Sequence, residues 1–168
     1  MFSIGLILAV VAIVALSLWL VQAWRELTFC QAQLVEVWQQ LRAELAARRE
    51  MIPYLVTAAP AEAATLGALI GNACDLAANV EGVREVSQAE TRLSAALGRL
   101  AVLVSESPEA ESHANLEQLE ARLREMNERV GLLRDAHNRQ ADTFNALLDR
   151  PAGRLLVHAQ FFRKVERF

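Results

Sequence analysis

The N-terminal stretch of this chain carries no charged side chain from Met1 to Trp24. As an α-helix, the segment from Ile4 to Trp24 would be about 31 Å long, which matches the roughly 30 Å hydrocarbon thickness of a bilayer. Trp19 and Trp24 stand near one end of it, where indole rings favour the membrane–water interface. The sequence therefore predicts a transmembrane anchor at residues 1–25, with the membrane bilayer as the first expected partner.

A cleaved secretory signal is the alternative for this segment. Val21-Gln22-Ala23 would be an acceptable cleavage site, but no Lys or Arg precedes Arg25, and the apolar run exceeds the usual length of about 7 to 15 residues. An uncleaved single-pass anchor is therefore favoured over export of the mature protein to the periplasm. Because the first cations, Arg25 and Arg42, follow the apolar run, the positive-inside rule predicts that residues 26–168 face the cytoplasm at the bacterial inner membrane.

The composition favours one all-α domain after the anchor. Only seven Gly and four Pro occur in 168 residues, and Ala, Leu, Glu, Arg and Gln dominate, as in long helices. The net charge is -3 with acids and bases interspersed, so no basic field is present and nucleic acid is not expected as a partner. Cys30 and Cys74 are isolated, without metal-ligand spacing, and are expected to be buried thiols.

Apolar residues recur at intervals of three and four in four successive segments, a spacing typical of amphipathic helices. The first segment, residues 27–55, continues the membrane span, and Pro53 is expected to kink it because proline lacks an N–H. The last, residues 116–147, keeps a coiled-coil-like alternation, and Ser107-Pro108 is expected to begin its helix. The first and last helices are therefore predicted to be long.

Two shorter segments lie between them. Residues 66–80 predict a second helix, which is expected to stop at Gly82. Ser87-Gln88-Ala89-Glu90 has the spacing of a capping box, in which the Ser and Glu side chains bond to free backbone N–H groups. This motif predicts that a third helix begins at Ser87.

The C-terminal region contains helix-breaking residues and then an apolar tail. Pro151 and Gly153 are expected to end the fourth helix after Asp149, and the tail from Leu155 to Phe168 is expected to fold back over the end of the bundle. The predicted fold is therefore all-α: an N-terminal transmembrane helix, then an antiparallel four-helix bundle over residues 26–168 with long first and last helices.

Two blocks of the sequence resemble the motifs of a known family. Arg48-Arg49-Glu50-Met51-Ile52-Pro53-Tyr54-Leu55-Val56 resembles the RR-x-D-L-I-P-N-L-V block of the LemA family. Arg134-Asp135-Ala136-His137-Asn138, followed by Phe144-Asn145 and Pro151, resembles that family's later AR-x-x-YN … YN … P run. The resemblance covers essentially the whole chain. It implies a membrane-anchored helical bundle with a small external N-terminus and a poorly defined molecular activity.

A stripe of four polar side chains runs beside the apolar seam of the fourth segment. Two roles are open for this stripe. It can fix the register of the bundle by pairing with Arg48, Glu50 or the backbone near Ile52 and Pro53, or it can line a groove for a ligand or a partner peptide. The structural role is the favoured interpretation. The stripe consists of Asn127, Arg134, Asn138 and Asn145.

The sequence contains no constellation that favours an enzyme. Glu-x-x-His, His-Glu-x-x-His, Gly-x-Ser-x-Gly and a phosphate-binding Gly loop do not occur, so no cofactor, metal or catalytic residue is expected. His137 occupies a seam position, and His113 precedes Glu117 by one helical turn. A small metal- or ligand-dependent enzyme using His137 or His113 is the alternative. The leading prediction is an interaction or scaffold protein at the membrane, with a protein partner that the sequence does not identify.

Overall fold

The computed structural model describes residues 2–58, 64–106, 114–159 and 161–168, and these residues form five helices and no strand. The predicted all-α fold, with a long apolar N-terminal helix and bundle packing, is confirmed. The expected helix start at Ser107-Pro108 lies outside the described residues. The helices are α1 (Phe2–Ala58), α2 (Ala64–Asn79), α3 (Val83–Glu106), α4 (Ala114–Asp149) and α5 (Pro151–His158).

Helix α1 joins the apolar segment to the bundle without interruption. The large apolar side chains from Ile4 to Leu18 are 52–69% exposed, and this part of α1 is long and apolar enough to cross a membrane. Burial begins at Leu27 and then follows one face of the helix. Pro53 lies inside α1, which continues to Ala58.

Helices α1 and α4 pack against each other in antiparallel orientation. Leu27 of α1 packs with Phe144 and Leu148 near the end of α4, whereas Leu45 packs with Val130, several turns earlier in α4. The predicted apolar seam of α4 is thus a core face from Leu123 onward. Leu116 and Leu119, which belong to the same predicted seam, have side chains outside the described set. Among the described side chains of α4, those that are buried are Met126, Val130, His137, Ala141, Phe144 and Leu148.

Helices α2 and α3 cover the part of α1 that is farther from the apolar segment. Ile52 and Leu55 of α1 form one core cluster with Ile70 of α2 and with Leu93 and Leu100 of α3. A second cluster joins Leu41 and Leu45 of α1 to Val86, near the start of α3. The four helices alternate in direction, as an antiparallel bundle with short connections requires.

The predicted boundary between the second and third helices is wrong. Helix α2 ends at Asn79 and α3 begins at Val83, so Gly82 precedes α3 directly, and its carbonyl accepts the N–H of Val86 at 2.9 Å. Ser87 therefore lies inside α3, and Glu90 cannot cap it. The carboxylate of Glu90 instead points into the core, since Arg48 and Arg49 bond to it. The Ser-x-x-Glu spacing of a capping box can also occur in the interior of a helix. Here Ser87 and Glu90 both lie inside α3, so the motif predicted the wrong start.

The C-terminal region turns back on the bundle, as predicted, but it contains an additional helix. Pro151 ends α4 and also begins α5, which includes Gly153. Gly153 is required by close packing, because a Cβ there would lie 2.7 Å from the Cα of Leu148. Beyond α5 the chain has no regular secondary structure, and Phe162 is buried beside Leu27 and Phe144. We call residues 161–168 the tail segment.

Candidate functional site

A groove of about 840 Å³, open to solvent, lies between α3 and α4, and we call it the α3–α4 groove. Arg48 of α1, which is buried, lies at its base, and Phe168 of the tail segment also lines it. Both walls carry polar, charged and apolar side chains. Helix α3 contributes Ser87, Glu90, Thr91, Ser94, Leu97, Gly98, Leu100 and Ala101, and helix α4 contributes Leu123, Arg124, Asn127, Val130, Gly131, Arg134, Asp135 and Asn138.

A buried ion pair forms the base of the groove. Arg48 is only 4% exposed, and its Nη2 donates to one carboxylate oxygen of Glu90, while Arg49 donates to the other. The Nη1 of Arg48 donates to Asn127 Oδ1 at 2.9 Å and to Ser94 Oγ at 3.4 Å. Helices α1, α3 and α4 are thereby joined by one polar network. A buried charge of this kind requires these partners, because an unpaired ion in the interior is strongly destabilising.

The sequence contains a signal for this ion pair that the motif analysis missed. In α1, Arg48 follows Leu45 by three residues and precedes Ile52 by four, so it occupies an apolar seam position. In α3, Glu90 precedes Leu93 by three residues and occupies the equivalent position. Opposite charges at core positions of two neighbouring helices are expected to pair. The assignment of Glu90 to a capping box concealed this pattern.

Two members of the predicted polar stripe bind the tail segment instead of Arg48, Glu50 or the backbone near Pro53. The amide of Asn145 donates to the carbonyl of Val165 at 2.8 Å and accepts the N–H of Val165 at 2.9 Å. The amide of Asn138 does the same with Phe168, at 3.2 and 2.7 Å. Each asparagine side chain thus bonds to both the N–H and the C=O of one tail residue, as the backbone of a neighbouring β-strand would.

The spacing of these contacts matches the geometry of the two segments. Asn138 and Asn145 are seven residues apart on a helix, which corresponds to about 10.5 Å along its axis. Val165 and Phe168 are three residues apart, and an extended chain covers about 10 Å over that interval. The tail segment can thus run antiparallel to α4 and meet both amides without strain.

The other two members of the stripe lie at the α3–α4 groove. Asn127 accepts from Arg48, as described above, whereas Arg134 is exposed and lies 3.7 Å from the carboxylate of Asp135. Gly131, between them on α4, has no neighbouring atom within 4 Å of the position that a Cβ would take. The stripe therefore has two kinds of contact: Asn138 and Asn145 bind the tail segment, while Asn127 and Arg134 line the groove together with Asn138.

His137, the candidate base or ligand of the alternative enzyme hypothesis, lies outside the groove lining. It is 1% exposed, and its ring centroid is 5.3 Å from that of Trp38. Burial lowers the pKa of His137 below its ordinary value of 6.5, and a hydrogen bond with the Asn138 side chain opposes this shift. Its Nδ1 has no hydrogen-bond partner among the described residues. His113 lies outside the described residues.

Neither cysteine forms a disulfide, in accordance with their isolated spacing. Cys30 is buried beside Gln140, as predicted, whereas Cys74, which was also expected to be buried, is only half-buried. Burial raises the pKa of both thiols. Among the described side chains, no three His, Cys, Asp or Glu residues lie close enough together to hold a metal ion.

No curated protein matches the chain, but a family model does. The family match extends from residue 37 to residue 168 and therefore includes the ion pair at Arg48, the groove, both asparagines and the tail segment. The apolar N-terminal part of α1 precedes the matched region. The chain belongs to the LemA family.

Proposed function

We propose that this protein is a membrane-anchored interaction module that binds a segment of a partner protein in the α3–α4 groove. The observation that carries the proposal is the groove itself: an open cleft of about 840 Å³ whose base is a hydrogen-bonded ion pair. The volume falls within the range of about 300–1,000 Å³ that is typical of binding pockets. The protein acts through binding and catalyses no reaction.

The lining indicates the chemistry of the partner segment. Three arginines, Arg48, Arg124 and Arg134, line the groove with only two carboxylates, Glu90 and Asp135. Leu97, Leu123 and Val130 supply apolar surface between these charges. A helix or extended peptide with apolar side chains and at least one carboxylate complements this pattern, and helix-in-groove recognition is a common mode of binding.

The membrane location is supported by the N-terminal part of α1. Its large apolar side chains from Ile4 to Leu18 are not covered by the described part of the protein. In the proposed arrangement this segment spans the inner membrane as an uncleaved anchor, and the bundle faces the cytoplasm because Arg25 and Arg42 follow the span. Mass spectrometry should then find the mature chain beginning upstream of Ala23. A reporter fused after Phe168 should be active in the cytoplasm, and activity in the periplasm would contradict this orientation.

Two glycines provide a matched test of the groove. Gly131 lines the groove, whereas Gly71 lies on the exposed face of α2, outside the groove lining. At neither glycine does an atom lie within 4 Å of the position that a Cβ would take. Gly131→Trp should fill the groove, whereas Gly71→Trp adds the same side chain elsewhere. Proteins captured by cross-linking the full-length chain in its native membrane should be retained by the wild type and Gly71→Trp and lost by Gly131→Trp. Equal capture by both variants would contradict binding in the groove.

The charge of the partner segment can be tested separately. Arg124→Glu reverses a charge at the exposed rim of the groove, so it should weaken capture of the same protein without affecting the buried ion pair. Arg99→Glu, which reverses an exposed arginine of α3 outside the groove lining, is the control. Weaker capture by both variants would mean that net charge, and not the groove, determines binding.

A further inference from the structure

Helix α5 lies at the level where the apolar part of α1 ends. Trp19, Gln22 and Ala23 of α1 line the same small cavity as the first three residues of α5, residues 151–153. Just beyond α5, Phe161 packs edge-on against Trp24 with ring centroids 5.2 Å apart. The start of α5 thus lies beside Trp19 and Trp24 of α1. Tryptophan side chains favour the membrane–water interface, so α5 lies at the level of that interface.

The outward face of this region is apolar and uncovered. Ala152 and Gly153 of α5 are buried toward the bundle. On the other side, Leu155 is 56% exposed, Val157 36% and Phe161 61%. Helix α5 is therefore amphipathic, with an apolar surface beside the apolar segment of α1.

The same region has an excess of cations in a chain whose net charge is -3. Residues 150–168 contain five Lys or Arg side chains and a single acid, Glu166. Three of these cations form ion pairs with acids of α1 and α4, whereas Arg154 and Arg163 are exposed and form no ion pair with a described residue. Cationic side chains next to exposed apolar groups are typical of helices that lie in the headgroup region of a membrane.

We propose that α5 and the start of the tail segment form a second membrane contact, which lies on the surface of the bilayer that α1 crosses and recognises anionic lipid headgroups. Leu155, Val157 and Phe161 enter the headgroup–acyl boundary, and Arg154 and Arg163 pair with phosphate groups. The proposal rests on the anchoring by α1 proposed above, but not on its orientation. The contact holds the bundle at a fixed height and tilt relative to the membrane.

The position and charge of this surface favour lipid over a protein partner. A protein would have to reach the level of Trp19, where the bilayer itself surrounds α1, whereas headgroups are already present there. Phosphate groups also complement the excess of cations, and each Lys or Arg near an anionic surface raises affinity.

Depth-dependent quenching in vesicles tests the proposal with the full-length chain. Cys30→Ala and Cys74→Ala remove the native thiols, and an environment-sensitive fluorophore is attached through Leu155→Cys, Ile13→Cys or Leu132→Cys. Leu132 is the matched exposed control, since it is 70% exposed on α4, far from the tail segment's start. The vesicles contain phosphatidylcholine, with or without phosphatidylglycerol, and a nitroxide-labelled lipid as the quencher.

The three positions separate the possible outcomes. The fluorophore at residue 13 should be quenched in all vesicles, that at 155 should be quenched most with phosphatidylglycerol, and that at 132 should not be quenched. On anionic vesicles, Arg154→Gln or Arg163→Gln should each lower the ratio of membrane-bound to membrane-free α5, measured by quenching at residue 155, roughly fivefold. No quenching at residue 13 would overturn the anchoring, whereas quenching at 13 together with none at 155 would overturn only the second contact. Equal quenching at 155 with and without phosphatidylglycerol would refute anionic recognition.

A second measurement covers the case in which the thiol-free chain does not fold. The wild-type chain is reconstituted with a photoactivatable phosphatidylglycerol, and cross-linked peptides are mapped by mass spectrometry. Beyond the span itself, the products should lie within residues 150–164. Products spread evenly over α3, α4 and α5, or confined to the span, would contradict the proposal.

Discussion

The two halves of the bundle close their cores by different means. The proximal half, next to the apolar segment, combines residues 24–38 of α1, residues 137–149 of α4, α5 and the tail segment, and two asparagine amides bond to the tail backbone. The distal half combines residues 41–55 of α1 with α2, α3 and the earlier part of α4, and an ion pair joins α1 to α3. The proximal half contains a small cavity of about 270 Å³, whereas the distal half retains the open groove of about 840 Å³.

This difference shows how one pair of long helices can support two kinds of surface. Helices α2 and α3 reach only as far as Leu41 of α1, so the rest of α1 and α4 would lack a cover on that side. The tail segment provides it with an extended chain, which occupies less width than a helix. The Arg84–Glu166 ion pair, at 2.8 Å, joins the start of α3 to this segment. In the functions proposed above, the proximal half is held at the membrane and the distal half binds the partner.

The largest expected effect concerns the ion pair of the distal half. Glu90→Leu leaves Arg48 and Arg49 without their shared carboxylate, and Arg48 is buried. The free energy of unfolding should fall by about 3–5 kcal/mol, because a buried charge loses its partner. Denaturant unfolding of the full-length chain in detergent measures this change.

The double variant Arg48→Met/Glu90→Leu separates the ion pair from the volume of its side chains. Replacing both charges with apolar groups removes the desolvation penalty, so most of the lost stability should return. A double variant that is as unstable as Glu90→Leu alone would mean that the remaining polar partners, Ser94 and Asn127, need the guanidinium.

A smaller effect is expected at the amides of the proximal half. Asn138→Ala or Asn145→Ala removes two hydrogen bonds to the tail backbone, and each should cost about 1–3 kcal/mol. Hydrogen exchange should become faster at the amides of Phe168 or Val165, respectively. Asn79→Ala is the control, since its side chain bonds only to the Asp75 carbonyl at the surface. Unchanged exchange in the tail segment would show that the amides do not hold it.

Alanine substitution at glycine distinguishes the two halves directly. Gly153→Ala in the proximal half should destabilise the protein by about 1–3 kcal/mol, because the new Cβ would meet the backbone of Leu148. Gly131→Ala in the groove should stabilise it by roughly 0.5–1 kcal/mol, since alanine favours the helix and nothing obstructs its Cβ. Thermal unfolding of both variants checks the opposite signs. The same sign for both would contradict the contrast between close packing at Gly153 and open space at Gly131.

The smallest effect concerns pH and His137, at the border of the two halves. Burial lowers its pKa, so the unfolded chain binds more protons than the folded chain as the pH falls through the ordinary value of 6.5. The stability of the wild type should therefore decrease toward acid pH. In His137→Gln this component is absent, so the difference in Tm between the two proteins should change in favour of the variant as the pH is lowered. A difference that is independent of pH would mean that His137 does not titrate in this range.

The sequence was sufficient for helices α1 to α4 and for their core faces, because burial of one face requires apolar side chains at intervals of three and four. It did not predict α5, since Pro151 and Gly153 were expected only to end α4. It was not sufficient for the partners of Asn138 and Asn145. Those partners are backbone groups of an extended segment, and backbone groups leave no pattern in the sequence. The start of α3 was predicted wrongly, since Ser87 and Glu90 fit a capping box and a core ion pair equally well by spacing.

The location of the groove also could not be predicted. Asn127 and Arg134 were recognised as polar positions beside the seam, but their exposure depends on how far α3 stands from α4. The Arg48–Glu90 ion pair holds α3 on α1, and the groove opens beside it. The spacing of apolar residues at intervals of three and four indicates which face of a helix is buried. It does not indicate how far apart two helices lie.

Photo-cross-linking at three positions tests the central claim, that the distal half binds a protein while the proximal half contacts lipid. A benzophenone amino acid replaces Arg134 in the groove, Leu155 on α5 or Leu132 on the exposed side of α4 in the full-length, membrane-embedded chain. The account predicts a discrete protein adduct from position 134, a lipid adduct from position 155 and neither from position 132. A protein adduct from 132 with none from 134, or the same products from 134 and 155, would contradict it.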